Sequence, residues 1–411
     1  MNALFIATQI VQKLQQAGYI TYFAGGWVRD FLLQVPSDDI DIATEASLEV
    51  ICSLFPKTIP VGIAFGIIIV VEEGHQFEVA TFRKELEHLD GRRPSRIEKT
   101  HAEEDAKRRD FTINGLFFDP IKQKLFDFVG GQEDLKRGII RAIGNPHERF
   151  LEDRLRMIRA VRYATKLHFT IDLDTTQAIY AHAKSLFPSV AIERIWQEFQ
   201  KMSYSARFDQ ALQKLYELEL LSTIFPSLKE ISPAQMEQRL SLFSSFPSDC
   251  PLIIQLAYLF PDSSLEEHLQ LCDQMKIAKT EKEHIRFLHR AKSLLQMPLS
   301  WQESLENIEW AYFYAHPLSA LFLSIYQTKA QDRLAFSSFH QRNRASLQEP
   351  IARLQQKKPY LSSSDLQQAG ILPGPRMGQL LKEAERLAIN ESLFDPKALL
   401  NRLKNTPLWG V

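Results

Sequence analysis

The feature that most constrains the fold is a change of hydrophobic period near residue 145. Before about residue 130, short runs rich in Val, Ile and Phe are bounded by Gly, Asp or Pro, as strands commonly are: TYFAGG, DDIDIAT, IIIVVEEG, FEVATF and KLFDFVGG. From Arg149 onward apolar residues recur at helical spacing, as in Leu151, Leu155, Ile158 and Val161. The sequence therefore predicts an α+β chain, with a small mixed β-sheet first and only helices after it.

The size and the apolar content bound the class of protein. With 411 residues, of which 45% are apolar, the chain can bury a large core and should form two to four domains. No run approaches the ~20 apolar residues of a membrane span, and the start MNALFIATQIVQKLQQ lacks the features of a secretion signal. The cysteines, Cys52, Cys250 and Cys272, match no zinc spacing and suit a reducing compartment. We expect a soluble, cytoplasmic protein that is independent of membranes, with no obligate protein partner evident.

Charge is uneven along the chain, although the net charge is only −1. Between Lys136 and Lys166 there are nine basic residues and three acidic ones. Such a local excess is typical of a polyphosphate or RNA surface, and a solvated helix face is the alternative.

The first motif that carries chemistry is a glycine pair after a predicted strand. Gly25 and Gly26 follow the apolar run Tyr22–Ala24 and open a segment of helical character. Glycines at a strand-to-helix turn let backbone N–H groups approach a phosphate, and the start of a helix favours negative charge. Arg29 could add a planar donor fork to a triphosphate.

Two aspartates follow at a spacing that puts them on one face of a strand. Because strand side chains alternate, Asp39 and Asp41 project together while Ile40 and Ile42 point into the core. Two carboxylates this close repel unless cations neutralise them. Mg²⁺ prefers oxygen ligands, so the pair predicts a site for two magnesium ions that activate a hydroxyl and stabilise a leaving pyrophosphate.

The run GGWVRDFLLQVPSDDIDIA, residues 25–43, resembles the nucleotidyltransferase superfamily that includes DNA polymerase β. Within it, the resemblance is to the branch of class II CCA-adding enzymes and bacterial poly(A) polymerases. It implies that Asp39 and Asp41 bind the catalytic metals and that Gly26 and Arg29 contact the nucleotide. A third carboxylate is expected on a neighbouring strand. Glu78 in FEVATF is the one convenient candidate, although a solvent-facing glutamate explains it equally well.

Residues 108–116, RRDFTINGL, resemble the second motif of this family. The resemblance implies that Arg109 contacts the nucleotide, that Asn114 lies near its ribose and that Asp110 orients these groups. Gly115 stands where relatives usually carry alanine, a change that we do not expect to matter. Residues 128–135 resemble the third motif, a hinge between the head and the helical part.

The segment LEDRLRMIRAVRYA, residues 151–164, predicts one helix that buries Leu151, Leu155, Ile158 and Val161. Asp153 accepts hydrogen bonds and Arg156 donates them, which matches the Watson–Crick edges of cytosine and adenine. Uracil and guanine present the reverse order and would leave like groups facing each other. The alternative is a plain intrahelical ion pair between Asp153 and Arg156.

The same segment resembles the EDxxR motif of the class II enzymes. The resemblance assigns nucleotide selection to Asp153 and Arg156, with Arg159 and Arg162 as triphosphate or base contacts. Residues 191–202, AIERIWQEFQKM, resemble a helix that braces this template helix. Relatives commonly have serine where this chain has Ala191, so a helix cap is expected to be missing. Residues 369–388 have a Gly/Pro turn before an amphipathic helix and resemble the segment that grips the tRNA body.

These observations predict a nucleotidyltransferase head over residues 1–140, then an all-helical neck (141–205), body (206–320) and tail (321–411). Residues 84–106 are dense in charge and are expected to form an exposed mobile loop. The implied reaction is template-independent addition of C, C and A to the 3′ end of tRNA from CTP and ATP.

Three rival functions remain. A bacterial poly(A) polymerase shares these motifs, although such enzymes tend to have a basic GRRFR-like run where this chain has VGIAFG at 61–66. A specialised CC-adding or A-adding enzyme is the second, and Asp90-Gly91-Arg92-Arg93 argues against a CC-only enzyme. An inactive RNA-binding protein is the third, against which the intact aspartates and arginines argue.

Overall fold

A computed structural model describes residues 2–63, 66–88, 94–205, 207–247 and 249–409. The chain divides into two compact units, residues 1–244 and 245–411, which are described separately. The predicted division into head, neck, body and tail is finer than this one and stays a prediction.

The first unit begins with a seven-stranded mixed sheet of order β3-β4-β5-β2-β1-β8-β9. Its strands are β1 (Thr21–Ala24), β2 (Asp41–Thr44), β3 (Thr58–Gly62), β4 (Ile67–Glu72), β5 (His75–Thr81), β8 (Leu116–Asp119) and β9 (Lys124–Asp127). β2 pairs with β5 in parallel, and the other neighbours are antiparallel. The predicted mixed sheet at the start of an α+β chain is therefore confirmed.

The two faces of this sheet are covered differently. On one face, Phe23, Ile42 and Val79 pack with the buried side of α1 (Ala3–Gln16), near α2 (Gly26–Leu32) and α3 (Leu48–Leu54). On the other, Ala24, Ala43 and Phe117 pack with α4 (Ala102–Lys107). Since strand side chains alternate, Asp41 lies on the face of Ala43.

Residues 84–106 do not form the loop that their composition predicts. β6 (Arg83–His88) and β7 (Pro94–Lys99) pair as an antiparallel ribbon, and α4 follows. The register sets Lys84 opposite Glu98, so opposite charges face each other across the ribbon. A charge-rich composition is thus compatible with two paired strands. The predicted Asp90–Arg93 turn lies outside the described residues.

Helices dominate the rest of the first unit: α5 (Gly131–Arg137), α6 (Pro146–Glu152), α7 (Leu155–Leu167), α8 (Leu173–His182), α9 (Leu186–Ser189), α10 (Ile192–Ser203), α11 (Phe208–Glu217), α12 (Leu220–Ile224) and α13 (Pro233–Leu240). One short exception is β10 (Ile139–Ile140), which pairs in parallel with β11 (Thr170–Ile171). The predicted all-helical arm is therefore correct except at β11.

The single helix predicted over residues 151–164 is wrong, because the chain breaks between α6 and α7. Asp153 has φ −148° and ψ 103°, and its Oδ1 accepts from the N–H of Leu155, 3.1 Å away. An aspartate that bonds nearby backbone competes with helix continuation. Leu151, expected in the core, is 48% exposed at the end of α6, whereas Leu155, Ile158 and Val161 are buried.

The second unit contains α14 (Leu252–Ala257), α15 (Leu265–Gln274), α16 (Lys279–Leu295), α17 (Leu299–Gln302), α18 (Asn307–Ala315), α19 (Ser319–Lys329), α20 (Arg333–Ser346), α21 (Gln348–Gln356), α22 (Ser363–Gln368), α23 (Pro375–Asn390) and α24 (Pro396–Lys404). Its core is aromatic around Trp310, Phe313 and Tyr314 of α18. The Gly/Pro turn predicted before α23 is present, with Pro375 in the first turn. None of the described helices has the length and apolarity that crossing a membrane requires.

Candidate active site

A cavity of about 950 Å³ lies in the first unit, at the end of the sheet where β1 stops and β2 starts. Every residue that the sequence nominates for catalysis or nucleotide binding lines it: Gly26, Arg29, Asp39, Asp41, Arg109, Asn114, Asp153, Arg156, Arg159 and Arg162. These residues come from positions up to 136 apart in the sequence. The fold therefore brings the predicted motifs together in one place.

The glycine pair forms the turn from β1 into α2. Gly25 has φ +71°, a backbone conformation that side chains disfavour. A Cβ at this position would also lie 2.9 Å from Nη1 of Arg109 and 3.6 Å from Oδ2 of Asp41. Glycine is thus required both by the backbone and by the close approach of two cavity side chains.

Asp41 is the first residue of β2, and Asp39 lies two residues before it. Ile40 and Ile42 are buried, as predicted. Burial, followed by the nearby Asp39 carboxylate, raises the pKa of Asp41 to about 6, although Arg109 acts in the opposite direction. Among the described residues, no hydrogen-bond donor or cation lies within bonding distance of either carboxylate. The two anions are close, repel each other and lack neutralising partners within bonding distance.

This donor set fits a divalent cation that also binds substrate phosphates, since Mg²⁺ commonly uses one or two carboxylates and completes its shell with phosphate and water. Glu78, on the neighbouring parallel strand, also raises the pKa of Asp41. However, no three His, Cys, Asp or Glu side chains among the described residues converge as a metal site. Glu78 as a third ligand stays a prediction.

Arg109 is held by a buried carboxylate. Asp105, on α4, accepts from Arg109 Nη2 at 3.1 Å and from Arg108 Nη2 at 2.7 Å, and its Oδ1 also accepts from the N–H of Arg83. Burial would raise the pKa of Asp105, but Arg109 and Arg108 outweigh it and lower the pKa below its ordinary value. Asp105 therefore fixes two cavity arginines relative to the start of the ribbon.

Asn114 links the two sides of the cavity through a chain of hydrogen bonds. Its Oδ1 accepts from Arg29 Nη1 at 2.7 Å, and its Nδ2 donates to Asp110 Oδ1 at 2.9 Å. The other Asp110 oxygen accepts from Arg159 Nη2 at 2.6 Å. Although burial alone would raise it, the contacts with Arg159 and Asn114 lower the pKa of Asp110 to about 2. Asp110 is thus an ionised anchor, as its predicted orienting role requires.

Asp153 is not paired with Arg156, so the intrahelical ion pair is wrong. The carboxylate accepts two hydrogen bonds from Arg194 on α10, from Nη1 at 3.2 Å and from Nη2 at 2.8 Å. The break between α6 and α7 turns Asp153 towards α10. A two-bonded guanidinium fixes the plane of the carboxylate while leaving lone pairs for a further donor.

Arg156 is oriented by three acceptors of its own. Nη1 donates to Glu152 Oε2 at 2.8 Å and to the carbonyl of Arg149 at 3.2 Å, and Nη2 donates to the carbonyl of Arg108 at 3.1 Å. Arg156 as a whole is 9% exposed, and it lines the cavity. The acceptor Asp153 and the donor Arg156 therefore line one cavity, and different neighbouring groups hold each of them.

Two family descriptions match the chain: "Poly A polymerase head domain" over residues 21–141 and "Probable RNA and SrmB- binding site of polymerase A" over residues 168–232. A CCA-adding enzyme of Ligilactobacillus salivarius is 34% identical over 400 residues, which cover 96% of this chain and 94% of that protein. A CCA-adding enzyme of Pediococcus pentosaceus is 32% identical over 399 residues, with 96% of each chain covered. This chain belongs to the CCA-adding enzyme family.

Solved structures of CCA-adding enzymes are similar over nearly the whole chain. The Bacillus stearothermophilus enzyme in complex with CTP is 28% identical, has a TM-score of 0.78 and covers 98% of both chains. The Thermotoga maritima enzyme complexed with tRNA shares the fold at a TM-score of 0.63, with 20% identity and coverage of 97% and 94%. The resemblance proposed from the sequence motifs is confirmed.

Two positions that the sequence analysis singled out, Gly115 and Ala191, can be compared with the structure. At Gly115, a Cβ would lie 2.6 Å from Val129 Cγ2, so alanine there would require Val129 to move. The local packing is therefore built around glycine. At the start of α10, Ala191 makes no side-chain capping bond, as its residue type predicts.

Sequence reasoning missed several side chains that line the cavity or hold its arginines, among them Tyr163, Arg194 and Glu198. Tyr163 lies under the guanidinium groups of Arg162 (4.1 Å), Arg29 (5.1 Å) and Arg159 (5.5 Å). Glu198 accepts from Arg162 Nε at 2.5 Å, although it is only 2% exposed. Arg194 and Glu198 are four residues apart in the predicted bracing helix, and that spacing was the available signal.

Proposed function

We propose that this chain adds C, C and A to the 3′ end of tRNA, using CTP and ATP and no nucleic-acid template. The observation that carries the proposal is the cavity itself, in which the carboxylates of Asp39 and Asp41 lie together with the acceptor Asp153 and the donor Arg156. The likeness to CCA-adding enzymes over 96% of the chain supports it. The RNA 3′-hydroxyl attacks the α-phosphorus of the nucleotide, and pyrophosphate leaves.

Asp153 and Arg156 select the nucleotide. Asp153 accepts from the exocyclic amino group of cytosine or adenine, and Arg156 donates to the adjacent ring nitrogen. Because Arg194, Glu152 and two backbone carbonyls hold the pair in place, uracil and guanine meet like groups that cannot turn away. Leaving buried polar groups unpaired costs about 1–3 kcal/mol per group, which is the basis of the discrimination.

The phosphates are bound by the arginines of both sides of the cavity. Arg109 and Arg29 come from the sheet side, and Arg159 and Arg162 come from α7. Every one of these guanidiniums has an anionic partner or an aromatic face already, so each is oriented before the nucleotide binds. Preorganised cations stabilise developing charge without rearranging during the reaction.

Asp39 and Asp41 would hold Mg²⁺. When bound there, the ions would lower the pKa of the attacking hydroxyl and neutralise charge on the leaving pyrophosphate. The raised pKa of Asp41 and its lack of a cationic partner within bonding distance support this role.

The names of the relatives favour CCA addition over the rivals, since those quoted above are called CCA-adding enzymes. Residues 61–66 and 90–93 were used to separate the rivals, and residues 64–65 and all of 90–93 lie outside the described residues. We also propose the four-part division at residues 140, 205 and 320, the tRNA contact near residues 369–388, and a cytoplasmic location. Three free cysteines, of which Cys250 and Cys272 are buried, suit that compartment.

The decisive experiment supplies purified protein with Mg²⁺ and three tRNAs that end before, within and after CCA, giving CTP, ATP, UTP and GTP separately and together. The proposal expects two C residues and then one A, with no extension of the complete end. Unlimited A addition would instead identify a poly(A) polymerase, and a stop after CC or growth by A alone would identify a specialised enzyme. If no tRNA is extended, the remaining interpretation is an inactive RNA-binding protein.

A further inference from the structure

The cavity continues beyond the residues that select and bind the nucleotide. α7 and α10 run in the same direction, since Asp153 before α7 pairs with Arg194 at the start of α10, and Arg162 pairs with Glu198 further along both helices. The C-terminal ends of the two helices therefore meet. At that end the cavity is lined by Lys166, Lys201 and Tyr204.

This far end is well separated from the base-selecting pair. Arg156 and Lys166 are ten residues apart on one helix, which corresponds to about 15 Å along its axis. The cavity volume of about 950 Å³ is also near the upper end of the ~300–1,000 Å³ that pockets for one small molecule occupy. There is room for a second occupant beside a nucleotide.

The chemistry of the far end is that of a single-stranded RNA site. Tyr204 is 82% exposed although it is a large aromatic residue. Lys201 has a side chain that is 56% exposed, and its Nζ also donates to Glu198 Oε1 at 3.3 Å. Lysines in the last turn of a helix also complement the helix dipole, which alone would account for Lys166 and Lys201. It would not account for an exposed tyrosine immediately after α10. An aromatic face beside two cations is how proteins hold unpaired bases and their phosphates.

We propose that Tyr204, Lys201 and Lys166 form a landing site for the unpaired 3′-terminal nucleotides of the RNA substrate. Tyr204 stacks on a base, and the two lysines contact the backbone phosphates that follow it. The inference rests on the proposed function, because it places the RNA end in the same cavity as the nucleotide to which it is joined.

The test compares Tyr204→Ala and Tyr204→Phe with the wild type on two RNA hairpins, one ending in unpaired nucleotides and one blunt. Loss of one stacked base should raise the Kd of the first hairpin about 5- to 100-fold in Tyr204→Ala. Tyr204→Phe should restore binding, and the blunt hairpin should bind all three proteins alike. Tyr180→Ala is the matched control, since Tyr180 is 51% exposed but does not line the cavity. Kd is measured by fluorescence anisotropy, without nucleotide.

Two further measurements separate this site from a triphosphate site. Lys166→Met and Lys201→Met should each reduce the slope of log Kd for RNA against log salt by about 0.7, the value for one phosphate of a single strand.

In steady-state assays Tyr204→Ala should raise KM for tRNA and leave KM for CTP unchanged. A raised KM for CTP with unchanged RNA binding would overturn the inference, as would a Tyr204→Ala protein with wild-type Kd. Because anisotropy requires no catalysis, Kd and its salt dependence can be measured even if the wild type fails to extend tRNA. That failure would refute the proposed function, whereas an unchanged Kd in Tyr204→Ala would refute the inference.

Discussion

The two compact units bury different kinds of polar group. Among the residues of the first unit whose burial is described, eight charged ones are buried: Arg29, Asp30, Asp105, Asp110, Asp119, Asp134, Arg156 and Glu198. Among the described side chains of the second unit, the buried polar residues are all uncharged or histidine: Gln255, His268, Gln302, Ser319 and His340. Six of the eight buried charges, including both arginines, line the cavity or directly hold an arginine that does.

The difference shows which groups are present for function. Removing a charge from water costs several kcal/mol, and a well-packed apolar core is often at least as stable as a buried ion pair. A core whose polar groups serve only packing can therefore use neutral groups, as the core of the second unit does. The first unit keeps ionised side chains buried because they fix the geometry of others, as Asp110 does for Asn114 and Arg159.

The strongest test of this comparison removes a charge that has no protein partner within bonding distance. Asp41→Ala should lower kcat on the order of 10³-fold, since about 4 kcal/mol of transition-state stabilisation is lost with the metal, while tRNA binding and thermal stability change little. Asp39→Ala should behave alike. Rates of CTP incorporation measure the effect. Asp38→Ala, an exposed neighbour outside the cavity lining, is the control and should keep normal rates. Substantial activity in Asp41→Ala would remove the metal assignment.

The second test removes a charge that reads the base. Arg156→Ala deletes a donor without adding a repulsive group, so the preference for CTP over UTP should fall by about 5- to 150-fold, or 1–3 kcal/mol, together with some loss of rate. The measurement is kcat/KM for the four nucleotides on one tRNA. Arg149→Ala is a useful comparison, since it removes a neighbouring partner of Glu152 outside the cavity lining. An unchanged ratio of CTP to UTP with a lower Tm would make Arg156 a structural residue.

Where the geometry is local, the sequence predicted residues that line the cavity, and their roles there stay predictions. Asp39 and Asp41 share a face because strands alternate, and the glycine turn follows from the residues on either side of it. It did not predict what holds the base-reading pair, because Asp153 and Arg194 are 41 residues apart and meet only through the packing of α7 and α10. The break at Asp153 was hidden by an uninterrupted apolar pattern, to which Leu151 contributes although it is exposed.

The prediction of a loop over residues 84–106 failed for a different reason. The composition is that of an exposed segment, and two paired strands satisfy the backbone groups of each other without needing an apolar face. The second unit was predicted only as helices, because the helical spacing of apolar residues does not specify which of the described helices pack together.

The third test concerns the neutral polar groups of the second unit. His268, on α15, contacts His289 Nε2 at 2.8 Å and the carbonyl of Ala257 at 3.2 Å, and Lys292 and Glu267 act on it from α16 and from its own helix. Burial, followed by His289, lowers the pKa of His268 to about 4. A depressed histidine pKa means that the unfolded chain binds more protons, so stability is full above about pH 6.5 and is lost as the pH falls towards 4.

The expected loss over that window is about 2–3 kcal/mol from His268. It should be visible as faster hydrogen exchange in peptides from α15 and α16 at pH 5 than at pH 7, after correction for the intrinsic rate. His268→Gln should flatten this dependence, whereas His101→Gln, in the first unit with a largely exposed ring, should not. If the His268→Gln protein kept the full pH dependence, the neutral pair would not be its source.

The smallest expected effect, and the sharpest use of the comparison, is at Tyr163, an uncharged group in the charged unit. Its ring faces three guanidiniums that would otherwise repel one another, and its hydroxyl accepts from Arg159 Nη2 at 3.2 Å. A partly desolvated cation–π contact is worth about 1–2 kcal/mol. Tyr163→Leu should therefore raise KM for all nucleotides about tenfold without changing their ranking, because the arginines that bind phosphate are loosened while Asp153 and Arg156 are untouched.

Tyr163→Phe keeps the ring and should retain a KM near that of the wild type, which separates the aromatic face from the hydroxyl. A purely structural tyrosine would lower Tm in Tyr163→Leu and leave KM alone. A change in the CTP-to-UTP ratio would instead connect the ring to base selection, and the separation between phosphate-binding and base-reading charges would fail.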